Sequence, residues 1–332
     1  MKKRENKVPP LKHVVAIGGG TGLPALLEAI KPSGDGKDSF GLTAIVTVMD
    51  DGGSSGRLRR DLGTLPPGDI RNCLAALSEA PEMLKALLQY RFRQGELKGH
   101  SLGNLLIAGL AEITGDFASA VKNMHDILAI KGRIFPSTTD NVQLVAELTD
   151  GSMVRGEAAI TRSGYPIQRL HLDPDGCRAL PEACDALAEA DLVLMGPGSL
   201  FTSILPHLLV PELARTLTES RAFKVYVCNL TTQPGETDGF TASMHLDALR
   251  SHVPGLSMDA ILCNSAPFPA ALLKSYERFN AEPVRVDAER LAASGCRLIH
   301  TDLLQTDLYA RHDPAKLRRA VFGLFQSALE VA

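Results

Sequence analysis

Five apolar runs of strand length recur along the chain, and each ends in a loop rich in glycine or polar residues. The runs are HVVAI, LTAIVTVM, DLVLM, KVYVCNL and DAILCN, and segments with helical periodicity lie between them. Continuous apolar strands that alternate with helices are typical of a parallel sheet buried on both faces. The sequence therefore predicts an α/β fold with a doubly wound, mostly parallel, Rossmann-like sheet. Its five loops would share one edge, where open α/β sheets bind ligands.

The middle of the chain departs from this alternation, and about residues 133–180 are expected to form a small antiparallel β insertion. NVQLVAELTDGSMVRGEAAI is predicted to form two strands joined at Asp150–Gly151, and PIQRLHL is a candidate third strand. Residues 1–12 are basic and lack the apolar segment of a signal peptide, so a disordered arm is expected there. Residues 13–332 are then expected to form a single α/β domain.

Composition excludes several classes of function. The net charge of −3 provides no basic field, so no nucleic-acid partner is expected. No apolar run reaches roughly eighteen residues, so no membrane span is expected. The six cysteines are scattered without a C-x-x-C pair, which argues against a structural zinc site or a redox motif. Free thiols of this kind indicate the reduced cytoplasm.

The loop after HVVAI contains four glycines and a threonine, and an apolar helical segment follows it. Backbone amides exposed at glycines, together with the positive end of a helix, bind anions. The spacing differs from G-x-G-x-x-G, because the last glycine would fall at Leu23, and no Gly-Lys-Ser/Thr follows. A tight strand-to-helix turn without a ligand is the alternative. The candidate phosphate-binding residues are Gly18, Gly19, Gly20, Thr21 and Gly22.

The second loop, MDDGGSSGRLRR, places two adjacent carboxylates at a strand end. Asp50 and Asp51 are candidate ligands of Mg²⁺, which keeps waters and substrate phosphates in its shell, or candidates for a general base. Ser54 and Ser55 offer hydroxyl donors, and Arg57 offers a partner for phosphate oxygens. The alternative is a turn followed by a solvated, basic helix start.

Two further segments place polar residues at predicted helix starts. In LPPGDIRNCLAAL, Asp69 is expected at the N-cap, with Arg71 and Asn72 in the first turn. In KGHSLGNLLIAGL, His100 and Asn104 lie around the start of an apolar helix. A capping role alone is the alternative for Asp69. His100 is either a structural histidine or an acid–base residue.

The loops after DLVLM and KVYVCNL are candidate ligand loops as well. The first, GPGSLFTS, repeats the combination of glycine amides and hydroxyls. The second, TTQPGET, is so polar that burial would demand hydrogen-bond partners, which a ligand can supply. The candidates are Gly196, Gly198, Ser199, Thr202 and Ser203 in the first loop, and Asn229, Thr231, Gln233, Glu236 and Thr237 in and around the second.

Taken together, DDGGSSGR, PPGDIRN, GHSLGN and GPGSLFTSILP resemble the gluconeogenesis factor family (YvcK-like), in the same order and over nearly the whole chain. That family is related to the 2-phospho-L-lactate transferases (CofD-like). The resemblance implies a CofD-like fold and a nucleotide ligand, characteristically UDP-N-acetylglucosamine. It places Gly19 to Gly22 near the diphosphate, and late motifs assign sugar-nucleotide contacts to Tyr276 and Arg311.

The resemblance also implies a regulatory role that links carbon metabolism to peptidoglycan precursor supply and cell-shape maintenance. Glucosamine-6-phosphate synthase is then a candidate partner, and a homo-oligomer is expected. No cofactor is required for binding in this hypothesis, although Mg²⁺ can join the ligand. The residues alone do not distinguish uracil from guanine.

The alternative hypothesis is a Mg²⁺-dependent transferase acting on a nucleotide diphosphate donor, like 2-phospho-L-lactate transferase. No catalytic residue is identified from the sequence, and the candidates are Asp50, Asp51 and His100. A nicotinamide oxidoreductase is disfavoured by the glycine spacing, and a purely structural module by the number of polar loops.

Overall fold

The computed structural model describes residues 11–32, 40–306 and 309–329. The predicted arm, residues 1–12, lies almost entirely outside these ranges. The strands are β1 (His13–Gly18), β2 (Gly41–Val46), β3 (Arg133–Pro136), β4 (Gln143–Leu148), β5 (Met153–Arg155), β6 (Ile167–Asp173), β7 (Leu192–Met195), β8 (Phe223–Val227), β9 (Ala260–Asn264), β10 (Arg297–Thr301), β11 (Leu304–Thr306) and β12 (Ala310–His312).

The helices surround these strands, and one π-helical turn, Leu200–Ile204, directly precedes α9. They are α1 (Gly22–Ile30), α2 (Gly53–Leu62), α3 (Gly68–Leu77), α4 (Glu82–Gln89), α5 (Leu102–Thr114), α6 (Phe117–Leu128), α7 (Glu157–Arg162), α8 (Pro181–Ala188), α9 (Leu205–Leu208), α10 (Pro211–Glu219), α11 (Ala242–His252), α12 (Ala270–Glu277), α13 (Ala288–Ala293) and α14 (Pro314–Leu329).

Seven strands form the central sheet in the order β10–β9–β8–β7–β1–β2–β3, and every neighbouring pair is parallel. The predicted fold class is therefore confirmed. The chain runs outward from β1 to β2 and β3 on one side and returns through β7 on the other. The strand order thus reverses beside β1, and this switch point is where sheets of this kind bind ligands.

The central sheet is buried on both faces, as its apolar strands predicted. Alternate residues of β1 enter two different hydrophobic clusters: Val15 and Ile17 pack in one, and Val14 and Ala16 pack in the other. All four side chains are at most 2% exposed. Helices cover each face, so the loops at the strand ends are fixed by a rigid scaffold.

The predicted antiparallel insertion is present as a three-stranded sheet in the order β5–β4–β6. The insertion spans fewer residues than the predicted 133–180, because Arg133–Pro136 pairs parallel to β2 as the edge strand of the central sheet. The hairpin at Asp150–Gly151 is confirmed. Its second strand ends earlier than predicted, because Gly156 has a φ of +89° and the following residues form α7.

In the described ranges, no single helix has the length and hydropathy of a membrane span. Helices α5 and α6 satisfy those criteria only when they are taken together, and the chain bends by 120° between them.

Candidate functional site

The carboxyl ends of β1, β2, β7, β8 and β9 all lie at one edge of the central sheet, because these strands are parallel neighbours. Each of the five loops predicted to bind ligand therefore leaves the sheet at this edge. The loop after β1 and the loop after β7 flank the switch point directly. The fold thus brings together segments that are up to about 245 residues apart in the chain, since β1 ends at Gly18 and β9 ends at Asn264.

Two glycine loops touch each other at the switch point: the first glycine loop, residues 18–22, follows β1, and the second glycine loop, residues 196–203, follows β7. A Cβ atom at Gly22 would lie 3.0 Å from Cα of Gly198 and 2.5 Å from the carbonyl carbon of Pro197, closer than real Cβ atoms come. Gly20 adopts a φ of +60°, a conformation that glycine supplies without strain. Its neighbour across the loop is Ser203, whose Oγ would lie 3.4 Å from a Cβ at Gly20. The backbone therefore approaches closely where the sequence predicted an anion.

Asn229 joins the loop after β8 to the same place. Its Oδ1 accepts a hydrogen bond from the Gly198 amide (3.1 Å), and its Nδ2 donates to the Gly198 carbonyl (2.8 Å). The Nδ2 also donates to Oε1 of Gln233 (3.2 Å). The Asn229 side chain thus holds the second glycine loop in shape. Thr237 braces the Gln233 turn, because its Oγ1 accepts from the Gln233 amide (2.9 Å).

The hydroxyls of the second glycine loop bind a carboxylate of the protein itself. Ser199 donates to Glu236 and accepts from the Thr202 amide at 3.0 Å, which makes it the N-cap of the π-helical turn. Glu236 is 4% exposed, and burial raises its pKa although hydroxyl donors, including Thr161, oppose that shift. The hydroxyls of Ser199 and Thr202 therefore have an internal acceptor in this structure. Thr231 forms a β-bridge with Pro283.

The adjacent carboxylates of Asp50 and Asp51, in the loop after β2, point in different directions. Oδ1 of Asp50 accepts from the Gly52 amide (2.8 Å), whereas Oδ1 of Asp51 accepts from the Ala158 amide (2.9 Å) at the start of α7. A Cβ at Gly156 would collide with the Asp51 carboxylate, so a glycine is required there. In the part of the chain that the structure describes, no three His, Cys, Asp or Glu side chains are grouped closely enough to hold a metal ion.

Asp69 is not the N-cap that the sequence predicted. The N-cap of α3 is Pro67, and Asp69 lies in the first turn. Its Oδ2 accepts a hydrogen bond of 2.7 Å from the amide of Gly20, because α3 begins directly beside the first glycine loop. Burial raises the pKa of Asp69 to about 6, and the Gly20 amide opposes that shift.

Glu157, at the start of α7, is a site residue that the sequence interpretation missed. Burial raises its pKa to about 9, and the carboxylates of Asp50, Asp69 and Asp51 add to that shift. Its segment was predicted as a strand, although glutamate and alanine favour helices. That helix preference was the available signal for α7, but it did not identify the carboxylates beside Glu157.

The first turns of α2, α3 and α5 carry the remaining polar candidates. Oγ of Ser54 lies 3.2 Å from Nδ1 of His100, whose pKa is lowered by burial and then by Arg57. Arg57 donates to the Lys98 carbonyl (2.9 Å). The candidates Ser55, Arg71 and Asn104 lie in the same first turns, and Asn72 follows Arg71 as the fifth residue of α3.

Tyr276 and Arg311 lie on two elements that touch. The hydroxyl of Tyr276 accepts from the Ala310 amide at 3.1 Å, and the exposed Arg311 is the next residue of β12. The ring of His312 contacts the Cys228 carbonyl at the end of β8 through Nε2 (3.2 Å). The late motif is therefore attached to the same sheet edge as the glycine loops.

A cavity of about 270 Å³ opens between the ends of β8 and β9. The loop SAPFP follows β9, and no site residue was predicted in it from the sequence. The lining is mostly apolar and includes Asn229, which also contacts Gly198. The lining residues are Cys228, Asn229, Leu230, Cys263, Asn264, Ala266, Pro267, Phe268, Leu273, Pro283, Val284 and Val286.

Comparison with known proteins agrees with this architecture. Residues 14–304 match the family model of the 2-phospho-L-lactate transferase CofD. The chain is 45% identical over 312 residues to the gluconeogenesis factor of Halalkalibacterium halodurans, covering 93% of this chain and 95% of that one. It is also 45% identical over 316 residues to the gluconeogenesis factor of Bacillus subtilis, covering 94% and 98%.

Among solved structures, a member of the UPF0052 family from Bacillus halodurans superimposes with a TM-score of 0.90 at 44% sequence identity. The match covers 94% of this chain and 99% of that one.

Proposed function

The chain belongs to the gluconeogenesis factor family, within the wider CofD family, and on that premise we propose that it is a regulatory protein that binds UDP-N-acetylglucosamine. The observation that carries this proposal is the contact between the two glycine loops at the switch point. The first loop meets the second at Gly22 and Gly198, with Gly20 in a left-handed conformation. Amides at such a junction suit the oxygens of a diphosphate.

The diphosphate would lie beside Gly20 and the start of α1. Asp69 accepts from the Gly20 amide in this structure, so a diphosphate that used this amide would meet a carboxylate. Two negative groups share a site only when a cation lies between them or when a proton neutralises one of them. Mg²⁺ held by Asp50 or Asp51 together with phosphate oxygens and water would supply that cation. We therefore expect Mg²⁺ to strengthen binding.

The cavity between β8 and β9 would hold the base. Its volume of about 270 Å³ and its mostly apolar lining suit a flat heterocycle, and Asn229 connects it to the Gly198 loop. Arg311 is exposed on β12, which is attached to the cavity wall through His312 and the Cys228 carbonyl. A guanidinium at this position would pair with a phosphate oxygen, and Tyr276 would position β12 through its contact with Ala310.

Isothermal titration calorimetry with UDP-N-acetylglucosamine, with and without Mg²⁺, tests the proposal. Gly20→Val should weaken binding at least tenfold, because the side chain blocks the backbone and strains a φ of +60°. Gly63→Val is the matched control, because Gly63 has a similar φ of +67° but caps the far end of α2. No heat from the wild-type protein at high micromolar concentrations with Mg²⁺ present would contradict the proposal.

A transferase is the second candidate function, and the observation that favours it is the density of carboxyl groups beside the glycine loops. The carboxylates of Asp50, Asp69 and Asp51 act electrostatically on the Glu157 carboxyl group, and a metal ion held by Asp50 or Asp51 together with phosphate oxygens would stabilise charge on a transferred phosphoryl group. Asp50→Asn and Asp51→Asn should then bind the nucleotide sugar but lose its turnover, measured as release of UMP or UDP. Unchanged turnover in both variants would remove these carboxylates from the mechanism.

The proposed regulatory role is based on the relatives, which are named gluconeogenesis factors. Sensing UDP-N-acetylglucosamine would connect carbon metabolism to peptidoglycan precursor supply and to cell shape. Glucosamine-6-phosphate synthase is the candidate partner. Co-purification of the two proteins should change when UDP-N-acetylglucosamine is added, and the Gly20→Val variant should lose that response. Co-purification that is absent or insensitive to the nucleotide sugar would contradict this partner.

A further inference from the structure

Three helices begin close together beside the loop that carries Asp50 and Asp51. We propose that their first turns form a second anion site, separate from the glycine loops. The ligand class is a phosphate or carboxylate group of a small hydroxylated metabolite. The helices are α2, α3 and α5, and none of them has a side-chain cap on its first turn in the described part of the chain. The helix-start cluster consists of Ser55, Arg71 and Asn104, one residue from each helix.

The members of the helix-start cluster are close together. A Cβ at Gly68, the first residue of α3, would lie 2.5 Å from Oγ of Ser55. The Nδ2 of Asn104 lies 3.5 Å from the same oxygen. On the other side, a Cβ at Gly103 would lie 2.9 Å from Cδ of Arg71. The first turns of three helices and the Arg71 side chain are therefore packed together, and Oδ2 of Asp50 lies 3.2 Å from the same Cβ position at Gly68. The fields of the helix starts favour negative charge there.

Arg71 is the strongest sign that a ligand is expected. Arg71 is 6% exposed, and its Nε is buried without a hydrogen-bond partner among the described residues. The one hydrogen bond that its guanidinium makes there goes from Nη2 to Oδ1 of Asn72 (2.6 Å). Arg71 forms no ion pair among the described residues. Burial lowers its pKa, whereas Asp69 and Asp50 raise that pKa electrostatically. A buried guanidinium with an unused donor is costly unless an anion satisfies it.

Asn104 adds a second unsatisfied group. It is 1% exposed, and its Oδ1 has no hydrogen-bond partner in the part of the chain that the structure covers. Its Nδ2 contact to Ser55, at 3.5 Å, is at the limit of a hydrogen bond. A free acceptor beside free donors fits a ligand that carries both an anionic oxygen and a hydroxyl. Hydrogen phosphate, a hydroxy acid and a sugar phosphate share this chemistry.

The helix-start cluster and the glycine loops lie on different sides of α3. Asp69 points from the first turn of α3 to the Gly20 amide, whereas Arg71 points from the same helix to Gly103 of α5. Residues two apart on a helix face different directions, so an anion beside Arg71 does not need to displace a diphosphate beside Gly20. The protein is therefore built to hold a second anion while the glycine loops are occupied, and this inference does not depend on which nucleotide they bind.

Titration calorimetry with inorganic phosphate, followed by ³¹P nuclear magnetic resonance, tests the inference on the full chain. Arg71→Gln should weaken phosphate binding roughly tenfold or more, since a hydrogen bond to a charged group contributes about 1.5–3 kcal/mol. Asn104→Asp, which is nearly isosteric and adds a negative charge, should abolish it. Arg60→Gln, on the exposed face of α2, is the matched charge control and should leave it unchanged.

The titration is repeated with the protein saturated with UDP-N-acetylglucosamine. Phosphate should still bind, and Arg60→Gln should leave the affinity for the nucleotide sugar within twofold of the wild type. Gly20→Val should lose the nucleotide sugar and retain phosphate. Unchanged phosphate affinity in folded Arg71→Gln and Asn104→Asp proteins, or complete competition between phosphate and the nucleotide sugar, would overturn the second site. Failure of the nucleotide sugar to bind would contradict only the proposed function.

Discussion

Replacing Gly22 by alanine tests the close backbone approach at the point where the first glycine loop meets the second. The new methyl group would lie 2.5 Å from the carbonyl carbon of Pro197, closer still to its oxygen, and 3.0 Å from Cα of Gly198. Ordinary carbon contacts are about 3.5–4.0 Å. The neighbours are backbone atoms that cannot rotate away, so α1 or the Gly198 loop must move by more than about 1 Å.

Overpacking of this kind costs typically about 1–3 kcal/mol. We expect Gly22→Ala to lower the free energy of unfolding by about 2–3 kcal/mol. Gly109→Ala is the matched control, because Gly109 lies inside α5 and a Cβ there would meet no atom within 4 Å. That change should raise the stability by about 0.5–1 kcal/mol, since alanine favours helices over glycine.

Urea unfolding monitored by circular dichroism measures both variants, since the chain contains no tryptophan for fluorescence. The two variants share one chemical change, so the difference between them isolates the contact between the loops. Gly22→Ala should also lose affinity for UDP-N-acetylglucosamine, whereas Gly109→Ala should keep it. If Gly22→Ala is as stable as wild type or Gly109→Ala, the two loops are not in contact and the reasoning is refuted.

Four other substitutions, of which Gly151→Ala is a control, give further tests. Burial lowers the pKa of His207 to about 4, below its unfolded value near 6.5, so the unfolded state binds more protons between these values and stability should rise as the pH is raised from about 4 to 6.5. His207→Gln should flatten that rise in urea titrations, and an equally steep rise in the variant would contradict the assignment. Gly156→Ala should destabilise the protein by about 2–3 kcal/mol in the same assay, because the methyl group meets the Asp51 carboxylate and φ is +89°. Gly151→Ala is the control, because Gly151 has a φ of +83° and open space around it, so this change should cost only the backbone strain of about 1–2 kcal/mol. Equal losses of stability in the two variants would show that the Asp51 carboxylate does not contact position 156. Arg311→Ala should weaken nucleotide-sugar binding roughly tenfold to a hundredfold by calorimetry, and unchanged affinity would remove this guanidinium from the site.

The central sheet could be predicted from the sequence because burial on both faces leaves a local signature. Strands such as Leu192–Met195 are apolar at every position, and each ends in a loop of a different composition. Parallel pairing then fixes the edge to which all the loops belong. The convergence of Gly22, Gly198 and Asn229 follows from this topology and required no knowledge of individual contacts.

The direction in which each polar side chain points could not be predicted, because it depends on residues that are distant in the chain. Asp69 has the local pattern of an N-cap, but its acceptor oxygen is used by Gly20, which lies 49 residues away. Glu236 looks like a ligand residue in a polar loop, yet it accepts from Ser199, 37 residues away. Local sequence patterns identified these residues as important but not their partners.

The segment after Arg155 shows the same limit for secondary structure. The second strand of the hairpin was predicted to continue to the end of GSMVRGEAAI, but Gly156 turns the chain and α7 follows. The Asp51 carboxylate stabilises the start of this helix by accepting from the Ala158 amide, 107 residues further along the chain. A tertiary contact therefore decided between two local preferences, and it brought Glu157 into the acidic group.

A crystal structure of the protein grown with UDP-N-acetylglucosamine and Mg²⁺ tests the central claim most directly. The diphosphate should lie between the Gly20 and Gly198 loops, with the uracil in the cavity between β8 and β9 and Arg311 turned toward a phosphate oxygen. Density for the nucleotide sugar on another face of the molecule, with these loops empty, would contradict the account.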